Sequence, residues 1–176
     1  MARNAPAAVA TPERKNPTAG ESSADTSGAP SWLLCRAGTH LCAMPLEHVV
    51  EIMRVLPIEA VAGAPHYVHG LCVIRGLPVP VLDAGLLIGD HATRPERLVT
   101  IRIGDRTIAL AVEGVLGIRS IMAGAIRQLP PLLRHAAAET IAAIGTLDAE
   151  LLFFLNTARI VPEDVLERLG AEGAAS

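Results

Sequence analysis

Residues 35–52 recur without a gap 66 residues downstream, as residues 101–118, and this duplication limits the fold more than anything else in the chain. The shift lays Arg36 on Arg102, Gly38 on Gly104, Ala43 on Ala109, Glu47 on Glu113, Val49 on Val115 and Ile52 on Ile118. Six identities in eighteen, the turn glycine among them, indicate a duplicated subdomain.

Each copy reads as a β-hairpin. Gly38-Thr39 and Gly104-Asp105 are two-residue turns with glycine first, which suits type II′ geometry. In the second copy Val99, Ile101 and Ile103 alternate with Thr100 and Arg102 before the turn, and Ile108, Leu110 and Val112 alternate after it. That period of two predicts a half-buried strand pair. A two-residue turn also fixes the register, so position 37 faces 40 and Cys35 faces Cys42. Two small thiols or a cross-strand disulfide both fit that register. The disulfide is disfavoured because three cysteines without a CxxC pair point to a reducing compartment.

A second strand pair follows each hairpin. Val68–Ile74 leads through Arg75-Gly76 to 79–82 and Asp83, and Ile141–Leu147 leads through Asp148-Ala149-Glu150 to 151–155 and Asn156. Asp83 and Asn156 are placed to cap a following turn or helix. Pro78 and Pro80 remove two backbone donors, so their strand is expected at an edge or bulged. Many short strands punctuated by Gly and Pro mean a barrel or sandwich. Near the end, Pro162, Glu163 and Asp164 open a helix whose apolar stripe is Val165, Leu166 and Leu169. Residues 1–30 are rich in Ala, Pro, Ser, Thr and Gly without periodicity, which predicts a disordered tail.

Apolar residues are 51% of the 176, but aromatics only 2%, so the core is built from Val, Leu, Ile and Ala. A net charge of -3 and the scarcity of stacking rings argue against a nucleic-acid binder, including an oligonucleotide-binding barrel. No apolar run reaches the ~18 residues of a membrane span, and the N-terminus lacks the apolar core of a secretory signal, so a cytoplasmic location is expected. No P-loop, dinucleotide fingerprint or nucleophile elbow occurs. His66 and His69 lie three apart without a third ligand, so no metal site is expected there.

Residues 69–83 read His-Gly-Leu-Cys-Val-Ile-Arg-Gly-Leu-Pro-Val-Pro-Val-Leu-Asp. This resembles the signature of the CheW family: a glycine, an Arg-Gly turn, and an aliphatic-Pro-aliphatic strand ending in Asp, carried here by Gly70, Arg75, Gly76, Pro80 and Asp83. Residues 44–52, from Met44-Pro45 to Val49, Glu51 and Ile52, resemble the family's Pro-x-x-x-Val-x-Glu-Ile segment. Residues 64–70 resemble its Pro-x-aliphatic-x-Gly lead-in, and Ile108 to Glu113 with Val115 its later strand, with Glu113 in place of the usual Asp. Val73-Ile74 stands where members commonly have Asn-Leu. The likeness spans residues 32–169.

The resemblance implies an all-β chain of two SH3-like five-stranded β-barrel subdomains packed together, with short helices and a C-terminal helix. The corresponding layout is a 1–30 tail, an interleaved double-barrel domain over 31–170 split near 90–97, and a 171–176 tail. It implies no catalysis, no cofactor and no metal. It implies an adaptor that couples the helical cytoplasmic tip of chemoreceptors to the regulatory domain of a CheA-like histidine kinase, joining membrane-bound receptor arrays only through those partners. Val49, Glu51 and Arg75 match the receptor-binding positions, and Glu51 and Arg75 are expected to pair. Gly70, Gly76, Pro80 and Asp83 are expected to be structural. A PilI-like adaptor of a twitching-motility or other chemosensory pathway is the alternative, and a small-molecule-binding β-barrel protein is a third reading.

Overall fold

A computed structural model describes residues 29–89, 91–131 and 140–160. Most of the expected N-terminal tail, the C-terminal helix and residues 171–176 lie outside the described residues. Among the described residues there are ten strands: β1 (Ser31–Ala37), β2 (His40–Pro45), β3 (Val49–Arg54), β4 (Val68–Ile74), β5 (Leu77–Asp83), β6 (Arg97–Ile103), β7 (Arg106–Val112), β8 (Gly114–Ser120), β9 (Ile141–Leu147) and β10 (Glu150–Leu155). A short α-helix, α1 (Ala84–Ile88), follows β5.

The repeat is visible in these bounds. The 66-residue shift lays β1–β2–β3 on β6–β7–β8, and a shift that carries Val68 to Ile141 lays β4–β5 on β9–β10. Gly38 and Gly104 adopt φ of +60° and +58°, and the residue after each keeps a negative φ, as type II′ requires. Leu147 and Glu150 close the last hairpin, so its loop is the two residues Asp148-Ala149, one shorter than expected.

The strands form two five-stranded sheets, ordered β8-β1-β2-β10-β9 and β3-β6-β7-β5-β4. Each sheet mixes the two copies. Hairpin β1–β2 pairs with β8 and β10, while the third strand of its own copy, β3, crosses to pair with β6. The crossing runs through a single 3-10 turn, Leu46–His48, where His48 Nδ1 meets Thr157 Oγ1 at 2.5 Å.

Three apolar clusters explain why the hairpins sit in the middle. Leu33, Cys35, Cys42 and Met44 of one hairpin meet Val99, Ile101, Ile108 and Leu110 of the other in the core between the sheets. The opposite faces of the same strands line separate interiors: Leu98, Ala109 and Ala111 pack with Cys72, Ile74, Val79 and Val81, and Leu34, Leu41 and Ala43 pack with Leu152 and Phe154. Each interior gathers one face of nearly every strand in its sheet, so the sheet curls around it. The hairpins are therefore buried on both faces, and the half-buried pattern expected for them is corrected. Alternation marked the larger residues, while Thr100, Ala109 and Ala111 are small enough to be buried on the second face.

The prolines of β5 fit by parity. Leu71 exchanges both backbone hydrogen bonds with Glu59, so its polar groups point away from β5. Pro80 opposes Leu71 and Pro78 opposes Val73, two residues on, so both ring nitrogens also face away from β4. On that far side β7 pairs only with 81–83. β5 is thus an edge over its first half and internal over its second, and the bulge lies in β4, between Val68 and Gly70. Gly70 has φ +139°, and a Cβ there would stand 2.0 Å from the Glu59 carbonyl oxygen. Gly70→Ala is expected to cost about 2 kcal/mol, through backbone strain and displacement of the Glu59 bridge. Urea denaturation measures this, and a loss below about 0.5 kcal/mol contradicts the close approach.

Candidate functional site

β3 and β4 are the two outer strands of their sheet, yet an ion pair joins the middle of β3 to the turn that follows β4. Arg75, in the β4–β5 turn, donates from Nε to Glu51 Oε1 at 2.9 Å and from Nη2 to Glu51 Oε2 at 2.7 Å. This is a bidentate fork, the geometry that only arginine offers a carboxylate. The turn supplies its direction: Arg75 and Gly76 have φ of +53° and +81°, a type I′ turn. Glu51 sits just past a bulge in β3, opposite Thr100 of β6. The hydrogen bonds from Arg75 hold the Glu51 carboxyl below its ordinary range, outweighing the desolvation that pushes it up. Glu51 in turn raises Arg75.

The strands that carry the pair also expose apolar side chains. Val50 and Ile52 project from β3 at 46% and 44% exposure, and Val73 and Leu77 flank the turn at 68% and 67%. Val49 is partly buried against the core between the sheets. It shares the half-buried face of β3 with Glu51, while Val50 and Ile52 take the opposite, exposed face. The structure thus brings Glu51 and Arg75 into contact and places Val49 two residues before Glu51, across the bulge.

The signature residues lie behind the site. Asp83 is fully buried at the N-terminus of α1, where Oδ1 accepts from the backbone N–H of Gly85 at 2.8 Å and of Leu86 at 3.1 Å. Thr93 N–H reaches both carboxylate oxygens, at 3.1 and 3.0 Å. His69 Nε2 stands 3.0 Å from Oδ2. Burial pushes the Asp83 carboxyl up, but these partners prevail and hold it below its usual value. Asp83 therefore ties together β4, β5, α1 and the loop entering β6. Gly76 completes the turn that aims Arg75.

A carboxylate held low in the folded state stabilises the fold at neutral pH, and that contribution disappears as pH falls through its folded value. Both Asp83 and Glu51 have this sign. The urea midpoint is expected to fall once pH drops below about 4, and to fall less steeply in Asp83→Asn than in the parent protein. Equal slopes contradict the role given to Asp83.

The model of the CheW-like domain matches residues 31–165. The chain belongs to the CheW-like domain family. It is 21% identical over 136 residues to the chemotaxis protein CheW of Klebsiella aerogenes, covering 76% of this chain and 82% of that protein. It also matches the solved structure of the scaffolding protein TtCheW from Thermoanaerobacter tengcongensis, with a TM-score of 0.66 and 17% identity over 76% of this chain and 92% of that one. The CheW-like fold expected from the motifs, all-β with two SH3-like five-stranded units, is therefore the fold observed.

Several groups of this CheW-like chain escaped sequence reasoning. Spacing offers His69 only as one of two histidines without a third ligand, and in the fold it contacts Asp83. Its neighbour His66 packs edge-on against the Tyr67 ring. Cys35 and Cys42 are cross-strand partners, as the turn required, and both are free, buried thiols. The Cys35 hydrogen bond, and then burial, push Cys42 well up. Arg36 makes a second fork, to Glu150 of β10. Among the described residues no group of three or more His, Cys, Asp or Glu is placed to hold a metal ion. No described helix is long and apolar enough to cross a membrane.

Proposed function

We propose that this protein is a non-catalytic cytoplasmic adaptor that couples chemoreceptors to a CheA-type histidine kinase in a chemosensory array. The observation that carries the reading is the Glu51–Arg75 fork, exposed at Arg75, on a strand and a hairpin that also leave Val50, Ile52, Val73 and Leu77 exposed. A fixed pair of opposite charges next to exposed apolar side chains suits a protein partner: the apolar groups supply buried area, and the charges set orientation and speed docking. The receptor's helical tip is the partner assigned to this surface, with Val49, Glu51 and Arg75 as its binding positions. The membership of the chain in the CheW-like family, and the names of its relatives as a chemotaxis protein and a scaffolding protein, support the assignment.

An adaptor needs a second docking surface, and duplication supplies one. Leu116 and Ile118 of β8, exposed at 51% and 53%, lie where the 66-residue shift carries Val50 and Ile52 of β3. The regulatory domain of the kinase is the partner proposed for the other flank of the molecule. The test is co-sedimentation with receptor-containing membranes and with the kinase, together with kinase activity in the reconstituted complex. Three-way assembly with Arg75-dependent receptor binding is expected. A protein that binds neither partner, or that binds receptor equally well without Arg75, overturns the reading.

A further inference from the structure

The Glu51–Arg75 fork needs a carboxylate held in one place, and Glu51 sits beside a bulge, where the ladder of β3 is locally irregular. A third side chain compensates. The Thr100 hydroxyl accepts from the Glu51 backbone N–H at 3.1 Å and donates to the Glu51 carbonyl at 3.2 Å. It grips both backbone polar groups of the one residue that holds Arg75. Thr100 is itself only 1% exposed, so its rotamer is fixed by packing, and it faces the interior in which Leu98, Ala109 and Ala111 lie.

The duplicated half of the molecule acts as an internal control. The 66-residue shift carries Thr100 onto Leu34 and Glu51 onto Gly117, and Leu34 and Gly117 are register partners just as Thr100 and Glu51 are. Leu34 is buried in the other interior. The position therefore accepts a plain hydrocarbon where no carboxylate has to be placed. The turn counterpart of Arg75 is Asp148, opposite in charge. Glutamate, arginine and the buried hydroxyl occur together in one half and are all missing from the equivalent positions of the other.

We infer that Thr100 is a positioning residue for the partner-binding fork, acting through the backbone of Glu51, and that it confines this recognition to one of the two barrels. The inference rests on the proposed function for its binding readout, but its first readout does not. Thr100→Val keeps the shape and deletes the hydroxyl, Thr100→Ser keeps the hydroxyl, and Thr100→Ala serves if valine fails to pack. The titration of the Glu51 carboxyl is followed by NMR in the full-length protein. In Thr100→Val its midpoint is expected to move up toward the ordinary glutamate value, about 4.3, while Thr100→Ser stays with the parent. A midpoint unchanged by Thr100→Val and Thr100→Ala overturns the inference.

The second readout is affinity for a receptor cytoplasmic fragment. Thr100→Val is expected to weaken it about fivefold and Thr100→Ser less than twofold. In an Arg75→Ala background Thr100→Val is expected to add less than a further twofold, because residues acting through one contact are not additive. Full additivity overturns the positioning role. If the midpoint moves as stated and receptor affinity ignores both Thr100 and Arg75, the positioning role stands and the receptor assignment falls.

Discussion

Asp83→Ala is expected to destabilise the protein by about 4 kcal/mol, the largest effect of any single truncation argued from this structure. The carboxylate takes N–H groups from Gly85, Leu86 and Thr93 and touches His69, all without access to solvent at the acceptor. Its removal costs a helix cap, about 1 kcal/mol. It also leaves buried donors unpaired, each worth about 1–3 kcal/mol. Asp83→Asn separates the contributions. One amide oxygen can still cap α1, but the amide nitrogen then faces the Thr93 N–H, a donor against a donor, so roughly half of the loss is expected to remain. Urea unfolding at neutral pH measures both. A loss below about 1 kcal/mol for the alanine variant contradicts the account, because a buried four-partner carboxylate cannot be that cheap to delete. Receptor binding is expected to weaken with it, since Asp83 fixes the strands that carry Arg75.

Arg75→Glu is expected to weaken receptor binding by about thirtyfold or more without a measurable change in melting temperature. The side chain is 78% exposed, so the fold gains little from the pair, in keeping with the small value of surface ion pairs. Recognition differs, because a like charge beside Glu51 repels the partner's complementary group and splays the fork. The exchange variant, Glu51→Arg with Arg75→Glu, separates two roles. It restores an ion pair with the charges swapped. If the pair serves only to hold the β4–β5 turn, the exchange rescues binding. If the partner reads the charges where they stand, the exchange stays as weak as the single variant, and that is the expected result. Isothermal titration at two salt concentrations completes the test, since a charge that steers docking leaves a salt dependence that Arg75→Glu removes.

Duplication also bears on how many partners are engaged. The second barrel repeats the apolar strand but carries Gly117 and Asp148 in place of Glu51 and Arg75. The two flanks both expose apolar side chains and differ in charge, the combination that the proposed two-partner adaptor requires.

Local sequence rules set most of the strands and their turns. Glycine-led two-residue turns fix both turn type and register, and those local rules placed Cys35 opposite Cys42. The resemblance of residues 44–83 to the CheW family's motifs singled out Glu51 and Arg75, and the end of a strand marked Asp83 as a cap. The sheet that each strand joins depends on long-range packing. β3 and β8 have the same pattern, and nothing local tells one to pair with β6 and the other with β1; that choice belongs to non-local packing around the core between the hairpins. The partners His69 for Asp83 and Thr100 for Glu51 were hidden for the same reason. Periodicity reports which face a residue takes, and contacts across a curled sheet depend on how far that sheet closes.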